Sequence, residues 1–546
     1  MTVLLATNAE GWDYQFVKRS DPWLTLQNAA ALTHYDNRNM AEAELSLTKT
    51  RGDFTNFDGS SNTLQAGAHI ESFFRLSNRA VCYGSMSYQS FDGKDMAGSV
   101  FINSTLLCSH RPFDIVEDSL MNTGDKHMDL YQLTGGIGCE LTKLLSVGLR
   151  LDYTAANYAK YKDLRHQNKY MDLRLSAGVY MPFAAWGAAG AHYSYHRNTE
   201  TISFGTYGKN EKVYQSLVSY GAFMGHLEQF GSTGFTDKSR EMPLVTDENG
   251  FGVQLEISPF ASTHDAATNE NGTSNDAATG EKITPLTFFN EFSYAHAKGY
   301  YGRKSPFTIT YTGHKSDIYH YAARLTSLLR KSRVSIDFSL DVENLQNDAN
   351  TYREMKNEQG ATHYDYYDAV KMANKVWTDW TVATTVDLGI EDDRPTWTLQ
   401  AGFSRWNRKQ TAYAYPYYRH QELSNQRIFA AAERNLKTKN SIWTFSLNGS
   451  WQKGSGEPYE DQTFQTPSDK QTAPPSMDTY LYKEYQWITS PQFTIGGQLK
   501  YAFLFPGTNL RTHARVSVNH RKATKDYDYS EGSHSTVYAI AVGCCF

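Results

Sequence analysis

The strongest constraint on the fold is a hydrophobic period of two that recurs in segments of about ten residues. Residues 145–153 place Leu, Val, Leu, Leu and Tyr on one face, and Ser, Gly, Arg and Asp on the other. Residues 171–181 and 333–342 repeat the same alternation. Successive side chains of a strand point to opposite faces, so these segments predict amphipathic β-strands with one apolar face and one polar face.

A membrane location is compatible with the low hydropathy of the chain. The 546 residues are 40% hydrophobic with a mean hydropathy of -0.57, and no stretch approaches 18 consecutive apolar residues. A transmembrane helix is therefore excluded. A barrel strand needs only about ten alternating residues to cross a bilayer, so a barrel protein looks hydrophilic on average. The aromatic content of 14% suits broad amphipathic surfaces.

Counting the alternating segments gives the predicted fold class, which is all-β: a transmembrane antiparallel β-barrel of about 16 strands, within a range of 14 to 18. A soluble sandwich or propeller is disfavoured, because its strands average about five or six residues and a propeller repeats every 40–50 residues or so. Further alternating segments begin near residues 41, 64, 133, 251, 382, 397, 443, 493 and 514. Less regular runs that could add strands lie near 79–91, 186–197, 287–297, 317–326 and 478–488.

The connections predict which side of the membrane each loop faces. Tight turns at 141–143 and 389–395 alternate with long polar stretches, which is typical of short periplasmic turns and long extracellular loops. Residues 264–281 are too small and polar to pack, and predict a loop tip. Tyrosine clusters at 364–367 and 413–418 fit an outer interfacial girdle or extracellular loops. The more specific alternative is that these tyrosines stack on a ligand. The predicted long outer loops are 198–212, 227–248, 259–284, 345–372, 408–440 and 452–476.

The last residues carry the most specific pattern. Tyr538, Ile540, Val542, Cys544 and Phe546 occupy every second position up to the final residue. This ending resembles the C-terminal strand of bacterial outer-membrane barrels, which the barrel-assembly machinery reads as an insertion signal. The free edge of such a strand presents unpaired backbone groups that can template pairing. The whole chain is similar to the large outer-membrane barrels grouped in domain-of-unknown-function families, a resemblance that implies location rather than activity.

The N-terminal portion lacks the alternation. Residues 1–9 are either the remnant of a signal peptide or an ordinary frayed terminus. Within 10–38, the segment containing Gln27, Asn28 and Leu32 is similar to the one that precedes the barrel in the fatty-acid-transporter class of outer-membrane proteins. That resemblance implies a hatch folded into the lumen; a periplasmic extension or a short flanking helix is the alternative. The barrel itself is predicted over 39–546.

The polar strand faces supply candidate lumen charges. They carry both signs, which a wide, water-filled lumen accommodates through cross-strand ion pairs. The last three of them share one strand face and form either an anion-attracting stripe or ion pairs with neighbouring strands. The candidates are Arg150, Asp152, Asp172, Arg174, Arg333, Asp337, Lys500, Arg511, His513 and Arg515.

No recognisable catalytic or cofactor motif is present. The chain has no GxSxG elbow, HExxH pair, complete calcium loop or dinucleotide-binding glycine pattern. Its five cysteines lack metal-ligand spacing and are interpreted as small apolar residues. We therefore predict no catalytic residue, no cofactor and no metal. A net charge of -5 without a basic tract argues against a nucleic-acid partner.

These observations predict a bacterial outer-membrane barrel for solute passage or uptake, either alone or as a subunit of a surface import complex. The expected partners are outer-membrane lipids, the barrel-assembly machinery during insertion, and a surface lipoprotein or an energised receptor. The chain is too short for both a 22-strand barrel and a separate plug domain, so a self-contained energised receptor is disfavoured. A closed structural barrel that docks partners through its outer loops is the alternative, and an outer-membrane hydrolase is the third hypothesis.

Overall fold

The computed structural model describes residues 13–35, 39–102, 110–117, 122–184, 186–207, 213–230, 242–259, 286–303, 309–475, 477–506, 508, 510–524 and 527–546. The predicted signal remnant, residues 1–9, and the predicted loop tip, residues 264–281, lie outside these ranges. Among the described residues, no helix is long and apolar enough to cross a membrane.

The alternating segments form long strands, because a period of two places all the apolar side chains of a strand on one face and all the polar ones on the other. The strands of the principal sheet are β1 Met40–Arg51, β2 Asn62–Ser77, β3 Ala80–Met96, β5 Gly124–Thr142, β6 Leu145–Lys160, β7 Arg165–Ala184, β8 Gly187–Gly205, β11 Met242–Ile257, β12 Leu286–Gly302, β13 Thr310–Leu329, β14 Ser332–Lys356, β15 Thr362–Leu388, β16 Trp397–Ala414, β17 Tyr417–Lys437, β18 Ser441–Gly456, β20 Gln492–Leu504, β21 Arg511–Ala523 and β22 His534–Cys545. The short strands are β4 Asp114–Glu117, β9 Tyr214–Gly221, β10 Met224–Phe230 and β19 Glu460–Thr463. The helices are α1 Tyr14–Ser20 and α2 Asp478–Thr489, with 3-10 helices at Pro22–Thr25 and Ala29–His34.

The long strands close into an antiparallel barrel of 18 strands, which confirms the predicted fold class and lies at the upper end of the predicted range. Closure joins β1 to β22, with Ala43 opposite Cys544 and Leu47 opposite Ile540. The last residue completes the seam: the amide of Ala41 donates to the carbonyl of Phe546 at 2.7 Å, and the amide of Phe546 donates back at 3.0 Å. Closure leaves no free sheet edge in the ring.

The apolar face of the strands points out of the barrel. Leu149, Ile540 and Val542 are 63%, 56% and 57% exposed, although each belongs to an alternating segment that a soluble sandwich would bury. An exposed apolar band of this kind is what a lipid-facing surface requires. The polar faces of the same strands line the lumen.

We call the end of the barrel where β1 begins and β22 ends the terminal end, and the opposite end the distal end. Terminal-end connections include the predicted tight turns, at 143–144 and 389–396. Distal connections include 97–123, 206–241 and 457–491, which carry the short strands and α2. The chain therefore folds its longer described connections at the distal end.

Several of the predicted outer loops are wrong. Residues 345–372 and 408–440 belong mostly to the paired hairpins β14–β15 and β16–β17, whose polar faces and bulges obscure the alternation. Residues 198–212, 227–248 and 452–476 also overlap strands.

The predicted outer loop 259–284 connects β11 to β12 at the terminal end, where the Ser258 amide donates to the carbonyl of Trp186 at 2.7 Å. Small polar composition indicates a loop but not its side of the barrel. Nearly all of this loop, residues 260–285, lies outside the described residues.

The irregular run 478–488, interpreted as a strand candidate, is instead helix α2. Tyr480 and Leu481 are its buried residues. They pack with Phe57 and Phe223 over the distal end of the barrel. Tyr480 and Leu481 are adjacent in sequence and both buried, whereas a strand with one buried face would bury every second residue. The aromatic content of the run did not by itself distinguish a helix from a strand.

Candidate functional site in the barrel lumen

Residues 13–35 fold locally because a polar side chain caps each short helix. Asp13 accepts a hydrogen bond from the Phe16 amide at 3.0 Å and begins α1. Asp21 begins the first 3-10 helix, and Asn28 begins the second by accepting from the Ala30 amide at 3.2 Å. Asp and Asn are favoured at this position because their oxygens satisfy amides that lack a partner within the helix.

This segment contacts strands all around the ring. Lys18 pairs with Glu71 of β2 at 2.5 Å, and the Arg150 guanidinium of β6 donates to the Leu26 carbonyl at 2.7 Å. On other strands, Trp23 Nε1 donates to Glu256 of β11 at 2.7 Å. A single short segment reaches separated strands of a closed ring only from inside, so residues 13–35 lie in the lumen. Its anchors lie toward the terminal end.

The most buried anchor in the barrel wall is Asp387 of β15. Both of its carboxylate oxygens accept from the guanidinium of Arg19, at 2.6 and 3.0 Å, and its side chain is 1% exposed. Thr398 of β16 also donates to it at 2.7 Å. The two-pronged arrangement fixes the orientation of α1 as well as its position.

Glycines flatten the wall beneath the second 3-10 helix. A Cβ on Gly148 would lie 2.2 Å from the Ala30 amide nitrogen, and a Cβ on Gly178 would lie 2.1 Å from Asn28 Oδ1. Real Cβ contacts are not that short, so this close approach requires glycine in both strands. The wall is thus shaped to receive the segment.

The three residues predicted for the hatch lie in this contact. Asn28 is buried and donates from Nδ2 to the Val179 carbonyl at 2.8 Å and to Gln254 at 3.2 Å. Gln27 accepts from Ser176 at 3.4 Å. Leu32 is buried within the apolar cluster that α1 and the 3-10 helices form with the first strands.

A second body of residues closes the distal end. Residues 97–102 and 110–117, the β9–β10 hairpin and α2 pack into the mouth, with Phe101, Phe113 and Tyr220 in one apolar cluster. We call this body the cap. Arg111 ties it to Glu200 of β8 at 3.3 Å.

Two buried lysines on the barrel wall hold the cap by its β4 strand. Lys160 Nζ lies 2.5 Å from Glu117, and Lys126 Nζ lies 3.2 Å from the same carboxylate. Both lysine side chains are fully buried. Breaking a buried pair of this kind leaves an uncompensated charge, so Glu117 fixes the cap strongly.

Between the N-terminal segment and the cap lies a chamber of about 430 Å³. Residues 25–27 form its floor, residues 110–112 form its roof, and β8 and β11–β14 supply much of its wall. Five histidines and five carboxylates are among its 30 lining residues, and they include His192, His196, His314, His320, Glu248, Glu291, Asp341 and Glu343. The volume is in the range of small-molecule sites.

Two of the chamber histidines, His196 and His320, are held by carboxylates. His196 lies between Asp172, 2.7 Å from Nε2, and Glu248, 3.2 Å from Nδ1. His320 pairs with Asp341 at 2.7 Å. These pairs present hydrogen-bonding groups of both kinds to the chamber, which fits a polar solute better than an apolar one.

The roof residue His110 separates the chamber from a second cavity of about 540 Å³ under the cap. Its ring stacks on Trp377 at 4.1 Å between centroids, and Nδ1 lies 2.7 Å from Glu343.

Two carboxylates also line the second cavity: Asp58 of the β1–β2 connection and Asp114 at the start of β4. Burial and the nearby negative charge of Asp114 raise the pKa of Asp58 to about 6, and burial raises the pKa of Asp114.

The predicted lumen charges are mostly paired. Arg150 binds Asp152 on its own strand at 2.9 Å, and Asp172 binds His196 as described above. Arg174 lies 3.6 Å from Glu248. All four lie on the lumen face of β6 and β7, in alternation with the exposed apolar residues, and Arg174 lines the chamber.

The remaining predicted charges lie nearer the terminal end. Arg333 donates to the Ser20 carbonyl at 2.6 Å, and Asp337 pairs with Arg324. The stripe of Arg511, His513 and Arg515 is not free, because His513 lies 3.1 Å from Glu44 and Arg515 binds the same carboxylate.

Lys500 lies 3.8 Å from Glu42, and Arg511 is buried. The lumen charges therefore form an interleaved network rather than a surface of one sign.

Sequence reasoning missed the wall residues that hold the N-terminal segment, chiefly Glu71, Glu256 and Asp387. A carboxylate on the polar face of a strand gives the same sequence pattern whether its side chain contacts water or a bound segment. The available signal was local: Asp387 and Glu256 both lie within a residue of a strand end, where a lumen plug would anchor.

A family profile described as "Family of unknown function (DUF6850)" matches residues 29–546, which confirms the prediction of an uncharacterised family. No curated protein sequence matches the chain. The similarity of residues 27–32 to the fatty-acid-transporter class stays a prediction.

Solved structures with a similar fold include membrane proteins of several kinds. The outer membrane transporter YddB from Escherichia coli is 7% identical with a TM-score of 0.40, over 92% of this chain and 81% of that chain. BauA, the ferric preacinetobactin receptor from Acinetobacter baumannii, is 8% identical with a TM-score of 0.36, over 93% and 80%. The RagAB peptide importer is 7% identical with a TM-score of 0.38, over 94% and 87%.

Proposed function

The chain belongs to DUF6850, a family of unknown function, and from that premise we propose that it is an outer-membrane barrel that passes a polar solute when two closures open. The observation that carries the proposal is the segment 13–35 inside the lumen. A ring of 16–18 strands or so leaves an aqueous channel when nothing fills it. Here the N-terminal segment fills one end and the cap fills the other.

The bacterial outer membrane is the location that the surface supports best. The ring is closed, its outer face exposes apolar side chains from many strands, and its lumen is polar. Strands can cross a bilayer only when every backbone group is paired, which a closed barrel achieves. In the proposed orientation the terminal end faces the periplasm, since the shorter turns of such barrels lie there.

The N-terminal segment is attached in a way that allows release. Its contacts with the wall combine polar pairs such as Arg19 with Asp387 and a modest apolar cluster around Trp23. Asp387 is 1% exposed, so withdrawal of Arg19 leaves a buried carboxylate without its partner until water enters the lumen, and release therefore needs a driving force. A partner acting from the terminal end, such as an energised receptor, would draw the segment out; a surface lipoprotein would act on the cap.

Single-channel conductance in a planar bilayer tests this proposal. Four proteins are compared: the full chain, one lacking residues 13–35, one whose cap-bearing connections 97–123, 206–241 and 457–491 are each replaced by a short Gly-Ser turn, and the double variant. Met96 and Gly124 are already paired across β3 and β5, so the short turn that replaces 97–123 fits the hairpin.

The closures lie in series, and the resistances of elements in series add. Each single variant is therefore expected to conduct weakly, and the double variant more than the two single variants together. Circular dichroism and heat-modifiable migration verify the barrel in each protein. A silent double variant with an intact barrel would contradict the proposal.

One observation favours the alternative, an interaction barrel. The β14–β15 hairpin has strands of 25 and 27 residues, the longest of the described strands, and Tyr367 near its tip is 71% exposed. Trimming residues 352–366 separates the two functions: loss of a co-purifying outer-membrane partner with unchanged conductance would favour docking. No change in either measurement would count against it.

A further inference from the structure

Three side chains with metal-binding chemistry meet where the barrel closes. Glu42 of β1, His513 of β21 and Cys545 of β22 are all buried, and one ligand atom from each lies within 4.8 Å of the other two. The Cys545 thiol lies 3.7 Å from Glu42 Oε1. The three strands are neighbours in the ring, so their backbone pairing holds the cluster together.

His513 has one ring nitrogen held by a carboxylate and one without a hydrogen-bond partner among the described residues. Its Nε2 lies 3.1 Å from Glu44 Oε2, and its Nδ1 has no hydrogen-bond partner among the described residues. The side chain is 1% exposed. A histidine that binds a metal typically donates its other ring N–H to a carboxylate, which fixes the tautomer and leaves the second nitrogen unprotonated. A buried nitrogen without a partner is otherwise costly, which points to a missing ligand.

We propose that Glu42, His513 and Cys545 bind a divalent transition-metal ion, with Zn²⁺ as the best match. A thiolate sulfur, an imidazole nitrogen and a carboxylate oxygen are the donors that Zn²⁺ takes in proteins. Three protein ligands leave the fourth tetrahedral position to water. The interpretation of the cysteines as small apolar residues is thus replaced for Cys545, while Cys544 points to the outside of the barrel.

The surrounding charges set the conditions for binding. Loss of the thiol proton on binding gives Cys545 a negative charge, which together with Glu42 offsets the two positive charges of the ion. Arg515 is neutralised by Glu44. Lys500 lies 3.8 Å from Glu42 and competes with the ion for that carboxylate. Replacing Lys500→Gln is therefore expected to tighten binding.

The position of the site gives the ion a structural effect that does not depend on the transport proposal. The ion would join the first strand to the last two, across residues that are 503 positions apart in the chain. Glu42 also accepts from Gln15 of the N-terminal segment at 2.8 Å. Bound metal therefore stabilises the seam of the barrel next to the foot of that segment.

Titration with Co²⁺ tests the site, because Co²⁺ takes Zn²⁺ positions and reports a thiolate ligand through charge-transfer absorption. The purified barrel is kept reduced and titrated at neutral pH. One equivalent of Co²⁺ should produce charge-transfer and tetrahedral d–d bands, and Zn²⁺ should abolish both. Cys544→Ser is the matched control, since it changes the adjacent cysteine on the opposite face and should leave the bands unchanged.

The variants distinguish ligands from neighbours. Cys545→Ser should abolish the charge-transfer band, and His513→Gln should weaken binding at least tenfold or so. Glu44→Gln, a change in a positioning residue, should weaken it by roughly 10–100-fold while the band remains. If Cys545→Ser fails to assemble, His513→Gln and Glu42→Gln carry the test. Absence of the bands in the natural chain, or their persistence in both His513→Gln and Glu42→Gln, would overturn the proposal.

A second readout does not depend on spectroscopy. Zn²⁺ should raise the temperature at which the barrel loses its heat-modifiable form, and this increase should disappear in His513→Gln but persist in Cys544→Ser. An equal increase in all three proteins would indicate nonspecific binding and contradict the site.

Discussion

Individual residues in this protein matter through the partners that the fold gives them. Asp58, in the connection between β1 and β2, illustrates this: burial and the nearby charge of Asp114 raise its pKa to about 6. An ordinary aspartate has a pKa of about 4, so it is already ionised at pH 6. Asp58 therefore binds its proton more tightly when the distal end is folded against the cap than when the chain is unfolded.

The shift in Asp58 predicts a pH-dependent cap. A carboxyl with a raised folded-state pKa contributes stability that is fully present below the unfolded pKa near 4, and that is lost as the pH rises through about 6. Hydrogen exchange of residues 97–102 and 110–117, corrected for the intrinsic rate, should thus show more opening at pH 7.5 than at pH 5. In Asp58→Asn the dependence should decrease, and the part that comes from the raised pKa of Asp114 should remain. Equal pH dependence in both proteins would count against this role for Asp58.

Glycine is the other residue type whose role depends on its partner. Gly148 lies on the lumen face of β6, whereas Gly135 lies on the outward face of the adjacent strand β5, between the exposed Leu133 and Ile137. A Cβ on Gly148 would collide with Ala30, whereas nothing lies within 4 Å of a Cβ on Gly135. Only at Gly148 does the close approach of another backbone require glycine.

At the scale of elements, the second 3-10 helix and the glycine wall form one contact that can be broken from the wall side. Gly148→Leu should displace residues 13–35 without disturbing the barrel, since the new side chain points into the lumen. The expected result is faster protease cleavage of the segment, together with a conductance change in the direction of the deletion variant.

Gly135→Leu controls for the addition of a leucine to the wall itself, because Gly135 lies on the outward face of the neighbouring strand, between the exposed Leu133 and Ile137, where there is open space. It should behave as the natural chain does. Identical cleavage rates in Gly148→Leu and the natural chain would mean that the segment does not depend on this contact.

The long hairpins are elements that sequence patterns describe poorly. β14 and β15 continue far beyond the neighbouring strands, and register shifts occur at Asn347 and Thr351. Beyond the membrane both faces of a strand meet water, so the apolar alternation stops although the backbone pairing continues. This is why residues 345–372 resemble a loop in sequence and form a hairpin in the structure.

At the scale of the whole molecule, β22 has two roles: it closes the ring against β1, and it is the proposed insertion signal. Tyr538, Ile540 and Val542 expose their side chains to the outside, while their backbones pair with β1 and β21. In the proposed role, the assembly machinery would recognise this apolar alternation before closure, and the same side chains would face lipid after closure.

Charged substitutions on this strand should stall assembly of the whole barrel. Tyr538→Asp with Ile540→Asp, or deletion of Phe546, is expected to reduce the heat-modifiable barrel in outer-membrane fractions several-fold. Ile336→Asp with Phe338→Asp is the matched control, because it also places two aspartates on the outward face of a strand, here β14. A lysine or arginine on the lipid face costs about 2–4 kcal/mol at the membrane centre and an aspartate costs less, and both variants carry this cost, so the control isolates the signal from lipid exposure. Equal loss in both proteins would contradict the signal.

The sequence by itself determined the strands, their two faces and the special character of both ends. Period-two alternation is a local property, because each side chain of a strand points opposite to the previous one whatever the strand pairs with. Residues 145–153 and the C-terminal strand could therefore be identified without any knowledge of their neighbours. The absence of alternation likewise marked residues 10–38 as a separate segment.

Only the tertiary structure decided which side chains meet across the ring. Strand number, the contact of Arg19 with Asp387, and the meeting of Glu42 with His513 and Cys545 all depend on how the barrel closes. Closure brings together residues separated by hundreds of positions, and no local pattern records that separation. The segment in the lumen, the cap and the proposed metal site are thus products of closure, whereas the strands that close were already set by their own alternation.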